Sequence, residues 1–155
     1  MNAVVIRPLR KEHGAEFLSL VDALADFEGL KRPTRAAKAR LLRDAFGRRK
    51  RFEAFLSFAG GTAAGYAIFF ETYSSFRGLP TLYLEDPFVL PQYRKRGIGL
   101  KLFKRCLAEA KKRGCGRMEW VVLDWNTGAI RFYRKVRARQ LKEWLVFRID
   151  FRGPS

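Results

Sequence analysis

One segment restricts the folds open to this chain more than any other. An apolar run over residues 81–90 leads through PQYRKRGIG into an amphipathic stretch over 99–112. The run reads as a strand, and Leu100, Phe103, Leu107 and Ala110 share one face of the helix that follows. Between them stands Arg94-x-x-Gly97-x-Gly99. Glycines there let the backbone approach an anion closely, and the helix start supplies unpaired N–H groups and the positive end of the dipole. Such a turn holds a pyrophosphate without a specific side chain. By itself it reads equally as a glycine-containing turn with a solvated basic cluster, because short glycine patterns recur by chance. Pro87 narrows the choice: it cannot donate to a ladder, so a strand carrying it bulges or parts from a neighbour there.

The flanking sequence supplies a sheet and its helices. Residues 3–7 read as a first strand. Phe17/Leu18, Val21 and Leu24/Ala25 recur at helical spacing within 11–28, and Gly29 ends that helix. Thr34 caps a second helix that runs to Phe46, with Gly47 past its end. Two apolar runs, 52–59 and 62–73, meet at Gly60-Gly61, a dipeptide that tolerates the positive φ of a tight hairpin. Strands over 117–123 and 143–151 flank a short helix over 127–136. The order β-α-α-β-β-β-α-β-α-β predicts an α/β protein with a mixed sheet, splayed near Pro87 and covered by helices on both faces.

Composition closes off other classes. At 155 residues one domain, 1–155, is expected. A hydrophobic content of 48% with 14 Phe excludes disorder as a global description. No apolar stretch has membrane-helix length, and the N-terminal segment lacks a secretory pattern. Cys106 and Cys115 have no CxxC partner, so they read as reduced cytoplasmic thiols rather than a disulfide or metal site. The only histidine, His13, reads as a solvated residue at a helix start. The formal net charge of +17 directs attention to acidic partners: phosphates, nucleic acid or acidic proteins.

The strand, the RxxGxG turn with its helix, and Trp125-Asn126 through Phe132-Tyr133 resemble the GNAT superfamily of acetyl-CoA-dependent N-acetyltransferases. The resemblance extends from VIRP near the N-terminus to Trp144 and is nearest to the spermidine/spermine (diamine) branch and its bacterial relatives. It implies a GNAT-like fold, acetyl-CoA as cofactor and direct attack of a primary amine on the thioester. By the same likeness, Phe88, Val89 and Leu90 pair with the pantetheine, and Arg94, Lys95, Arg96, Gly97, Ile98, Gly99 and Leu100 hold the pyrophosphate. Asn126 and Ala129 contact the cofactor as well. Tyr133 matches the residue that protonates the departing thiolate, and Glu85 the carboxylate near the attacking amine. Phe27, Glu28, Glu119 and Trp120 match acceptor-side positions. No metal is implied, and relatives commonly form homodimers.

Physical chemistry agrees with these roles and leaves others open. A phenol is a proton donor at neutral pH, and a buried carboxylate gains basicity. Without the likeness, Tyr133 would read as core packing and Asn126 as a helix cap. Asp86, next to Glu85 in a strand, should face the other way and partner a basic group. Residues 31–51 carry ten Lys/Arg and one acid, Asp44, a stripe that would repel a polyamine. Ser74 or Ser75 stands where polyamine-specific relatives carry a loop carboxylate, and Arg137 where the family usually has a turn glycine. Two alternatives therefore accompany a small-amine acetyltransferase. One is an enzyme for lysines on an acidic protein; the other is a nucleic-acid- or ribosome-associated binding module, disfavoured because no RNA-binding motif is present.

Overall fold

A computed structural model describes residues 3–151. Residues through Trp120 form one compact unit, and those from Val121 a second. The first is built on a five-stranded sheet in sequence order: β1 (Val4–Pro8), β2 (Glu53–Ala59), β3 (Thr62–Ser74), β4 (Leu79–Val89) and β5 (Arg117–Glu119). The first four pair antiparallel, and β5 runs parallel to β4. Three helices complete the unit: α1 (Gly14–Glu28), α2 (Arg35–Phe46) and α3 (Ile98–Lys112).

Alternation along β2 and β3 explains how helices cover both faces. Phe17, Leu20 and Leu24 of α1 join Leu56, Tyr66, Ile68 and Phe88 in one buried cluster. Removing side chains of that size from water contributes about 1.5–3 kcal/mol each. The opposite parity turns Phe55 and Phe69 toward α3: Arg105 lies 4.6 Å from the Phe55 ring, and Arg113 at the helix end lies 5.1 Å from Phe69. Arg113 also pairs with Glu53, Glu71 and Glu109, tying the end of α3 to β2 and β3.

Local signals fix the element ends. The Thr34 side chain accepts from the Ala37 N–H at 3.1 Å, starting α2. Gly29 closes α1 at φ 69°, and Gly60 and Gly61 make the β2–β3 hairpin at φ 57° and 82°. His13 departs from its expected solvated state: its ring lies tilted against Phe58, centroids 4.9 Å apart, and its Nδ1 is buried. It flanks the start of α1, where the chain turns onto the sheet.

Two predicted strands need correction. The segment expected over 117–123 pairs only from Arg117 to Glu119, because β5 leaves β4 beyond Tyr83 while β4 continues to Val89. The final strand expected over 143–151 is not formed. An apolar run prepares a strand, but the strand exists only when a neighbour supplies the ladder. The side chains of this segment are exposed instead, Trp144 at 72% and Phe147 at 89%. The second unit contains α4 (Thr127–Lys135). No helix among the described residues is long and apolar enough to cross a membrane.

Candidate active site

The site begins at an irregularity in β4. Tyr66 opposes Phe88 and Ile68 opposes Glu85, so Ala67 alone faces the two residues Asp86 and Pro87. This β-bulge uses a residue that cannot donate, Pro87, and holds Asp86 at φ 54°. A non-glycine residue in that region carries strain, which an irregular strand keeps only when its surroundings impose it.

The bulge defeats the alternation that should separate Glu85 from Asp86. Burial, then Glu85 and Glu28, push the Asp86 carboxyl up to about 7. The Glu28 carboxyl at the end of α1 is also raised, by burial and then by Glu85. The basic partner expected for Asp86 is not found among the described residues; its neighbours are acids. Beneath them lies Tyr66, a residue the sequence did not single out. Its hydroxyl is buried without a hydrogen-bond partner, and burial with the three carboxylates drives its pKa well above the usual value. Three acids and a buried hydroxyl thus converge at the bulge.

The acceptor-side residues make contacts of different kinds. Phe27, next to Glu28 in sequence, lies tilted against Phe88 with ring centroids 6.0 Å apart. Glu119 opposes Tyr83 across the β4–β5 pairing and bonds Arg117 at 3.1 Å. Trp120 sets its ring edge-on to Phe103 of α3 at 5.4 Å, a packing contact.

On the far side of the bulge lies the turn into α3. Its first helical bond runs from the Lys101 N–H to the Gly97 carbonyl at 3.1 Å, so the N–H groups of Ile98, Gly99 and Leu100 stand ahead of the ladder. Gly97 sits at φ 77° without a side-chain cap, and the first turn of α3 holds no acid. Lys95 is left-handed as well, at φ 61°. A Cβ added at Gly97 would meet nothing within 4 Å. Free amides at a positive helix end, with Lys95 and Arg96 beside them, match the donor set a pyrophosphate requires. β5 pairs with β4 only from Thr81 to Tyr83, ahead of the bulge, and an extended chain adds to a strand edge through main-chain hydrogen bonds. These features fit coenzyme A.

Arg94 has another task. Its Nε–H donates to the Val89 carbonyl at 2.9 Å, and its guanidinium lies 4.6 Å from the Phe27 ring and 5.6 Å from Phe88. Burial lowers its pKa. The side chain therefore braces the turn against β4 and α1.

Close packing sets the path of this edge. A Cβ at Gly65 would come within 2.5 Å of the Phe88 carbonyl and 3.1 Å of the Val89 Cα. Gly65→Ala is expected to lower stability by about 1–3 kcal/mol through overpacking and to weaken acetyl-CoA binding, because β4 must move. A melting curve and a calorimetric titration check both; an unchanged affinity would detach Val89 from the cofactor site.

In the second unit, the Asn126 side-chain oxygen accepts from the Ala129 N–H at 3.3 Å and caps α4. That uses the oxygen locally and leaves the side-chain amide as the group for other contacts. Tyr133 lies on α4 with its ring edge-on to Phe132 at 5.6 Å, and burial pushes its phenol up to about 12. Arg137 occupies the left-handed region at φ 64°, a backbone state that a glycine would reach without strain.

Comparison with known proteins gives this geometry a context. Residues 17–137 match the model of the Acetyltransferase (GNAT) family. The chain is 32% identical over 161 residues to thialysine N-epsilon-acetyltransferase of Mus musculus, covering 97% of this chain and 94% of that protein. It is 42% identical over 86 residues to L-ornithine N5-acetyltransferase of Arabidopsis thaliana, covering 56% of this chain and 38% of that one. Among solved structures it resembles an aminoglycoside N-acetyltransferase in complex with CoA, with a TM-score of 0.73 at 22% identity over 96% of each chain.

Proposed function

The chain belongs to the GNAT family of acetyltransferases, with acetyl-CoA as its acetyl donor, and we propose that its acceptor is the terminal primary amine of a small basic amino acid or diamine. The observation that carries this reading is the convergence of Glu28, Glu85 and Asp86 over the unsatisfied Tyr66 hydroxyl. Such a cluster favours one ammonium group. The relatives named for thialysine and L-ornithine support an amino-acid side-chain amine. A long polyamine fits less well, because the ten cations of residues 31–51 follow directly on α1, which carries Glu28.

Chemistry follows from the residues. Bound acetyl-CoA supplies an acetyl thioester for the amine to attack. An alkyl ammonium has a pKa near 10, and removing its proton at pH 7 costs about 4 kcal/mol. The carboxylates first hold the cation; Asp86 and Glu85 then take its proton as attack proceeds. Asp86, raised to about 7, is the better matched base of the two on basicity, and Glu85 is assigned to orientation and relay. Tyr133 keeps its proton through neutral pH and is assigned to protonate the leaving sulfur. The match over residues 17–137 crosses the division at Trp120, which supports treating both units as one catalytic domain.

A panel of amines read by CoA release tests the acceptor class. Turnover is expected with ornithine, lysine and thialysine, and weaker turnover with spermidine. Spermidine as the best substrate would overturn the assignment, as would acetylation confined to lysines within acidic peptides.

We also assign this chain to a homodimer in the cytoplasm. Its free cysteines suit a reducing compartment. The exposed apolar residues Trp144, Leu145, Val146, Phe147, Ile149 and Phe151 suit burial against a second copy. Light scattering is expected to give a dimer that tightens as salt screens the two +17 charges, and Phe147→Asp to give a monomer. A wild-type monomer at tens of micromolar and high salt would end this assignment.

A further inference from the structure

The catalytic reading leaves unused the most strongly charged surface of the first unit. From Arg35 to Arg51 the exposed cations Arg35, Arg40, Arg48, Arg49, Lys50 and Arg51 make no ion pair with an acid among the described residues. Lys38 and Arg43, by contrast, are held by Asp22 and Asp44. Past the end of α2 the chain folds around an open depression of about 770 Å³ lined by Arg43, Arg48, Arg49, Lys50 and Arg51, with Asp44 the one acid. Charges at a helix C-terminus partly answer the dipole, but that effect fades within the last turn. Arg48 to Arg51 lie beyond it.

We propose that this face binds the phosphate backbone of nucleic acid without reading its sequence, as a function separate from acetyl transfer. Four observations select this occupant. The twelve-residue α2 is about 18 Å long, a span over which duplex DNA presents roughly ten phosphates at one charge per about 1.7 Å. Five of the six unpaired cations are arginines, whose planar fork matches phosphate oxygens. Between Arg35 and Arg51 the large apolar side chains Leu41, Leu42 and Phe46 are half-buried, so the face offers neither the apolar anchor of a protein interface nor a group to enter a membrane. It also presents no exposed aromatic for base stacking, which leaves the backbone as the element recognised.

The test is fluorescence anisotropy with a 20-base-pair duplex of arbitrary sequence across 50–200 mM salt. Binding is expected to fall steeply with salt and to be indifferent to sequence, with a log–log slope of about −5 for five to six neutralised phosphates. The variant Arg48→Gln/Arg49→Gln/Lys50→Gln should bind at least about ten-fold more weakly, with the slope reduced by about 2–3. A matched variant at exposed positions of α3, Lys104→Gln/Lys111→Gln/Lys112→Gln, loses the same charge and should bind as the wild type. Both should retain wild-type acetyl transfer, which reports intact folding. If the triple variant fails to fold, Arg49→Gln alone should reduce the slope by about 0.9. Equal loss in the matched variant would overturn the proposal by making the effect one of net charge. Equal or tighter binding of poly-L-glutamate or of anionic vesicles at the same salt would overturn it in favour of another acidic partner.

Discussion

Asp86→Asn is expected to lower kcat/KM for the amine about 100-fold or more, leave the KM for acetyl-CoA unchanged, and raise the melting temperature above neutral pH. The activity loss follows from removing one carboxylate and the best matched base, a change worth about 10²–10⁴ in rate for general base catalysis. The stability gain follows from linkage. The folded-state pKa of Asp86 is raised from 3.8 to about 7. Between those values the folded chain keeps a proton that the unfolded chain has released, so stability falls as pH rises from about 4 to 7. Asparagine removes that penalty, which amounts to a few kcal/mol at most when the carboxyls share it. Melting curves should therefore coincide at pH 4 and separate by several degrees at pH 8, where 1 kcal/mol corresponds to about 2–4 °C at this size. In the wild type, amine kcat/KM should rise through pH 7 as Asp86 ionises, and that limb should vanish in the variant. A variant less stable than wild type at pH 8 would mean that Asp86 has a structural partner after all.

The same residue marks the boundary of what the sequence contained. Local signals placed α2 between Thr34 and Gly47, the hairpin at Gly60-Gly61 and the turn before α3, because each depends on residues adjacent in the chain. Pro87 announced an irregularity but not its form. The two-against-one pairing of Asp86 and Pro87 with Ala67 depends on the register between β3 and β4. Without it, strict alternation sends Asp86 away from Glu85. Tyr66 was invisible for the same reason: a buried tyrosine in an apolar strand is ordinary until its hydroxyl is found under three carboxylates. Residues 143–151 failed in the opposite direction. Their apolar content suggests a strand, yet pairing is a property of two segments, and one segment cannot supply it.

Tyr133→Phe should reduce kcat by about 10²–10³ while acetyl-CoA affinity and amine KM stay near wild type. Loss of a positioned proton donor removes an interaction made as the sulfur leaves, so the deficit should appear in kcat rather than in binding. The phenol suits this role because burial pushes it up to about 12. It therefore remains a donor across the working range. Tyr133 should add no falling limb to the wild-type pH profile between 7 and 10. Phenylalanine preserves the edge-on contact with Phe132 at 5.6 Å, so the stability cost should not exceed that of one hydrogen bond, about 0.5–1.5 kcal/mol. A packing role and a proton-donor role thus predict opposite results: the first leaves turnover intact and the second leaves the fold intact. Turnover by Tyr133→Phe at the wild-type rate would return Tyr133 to the core, and sulfur would have to leave as the thiolate or take its proton from water.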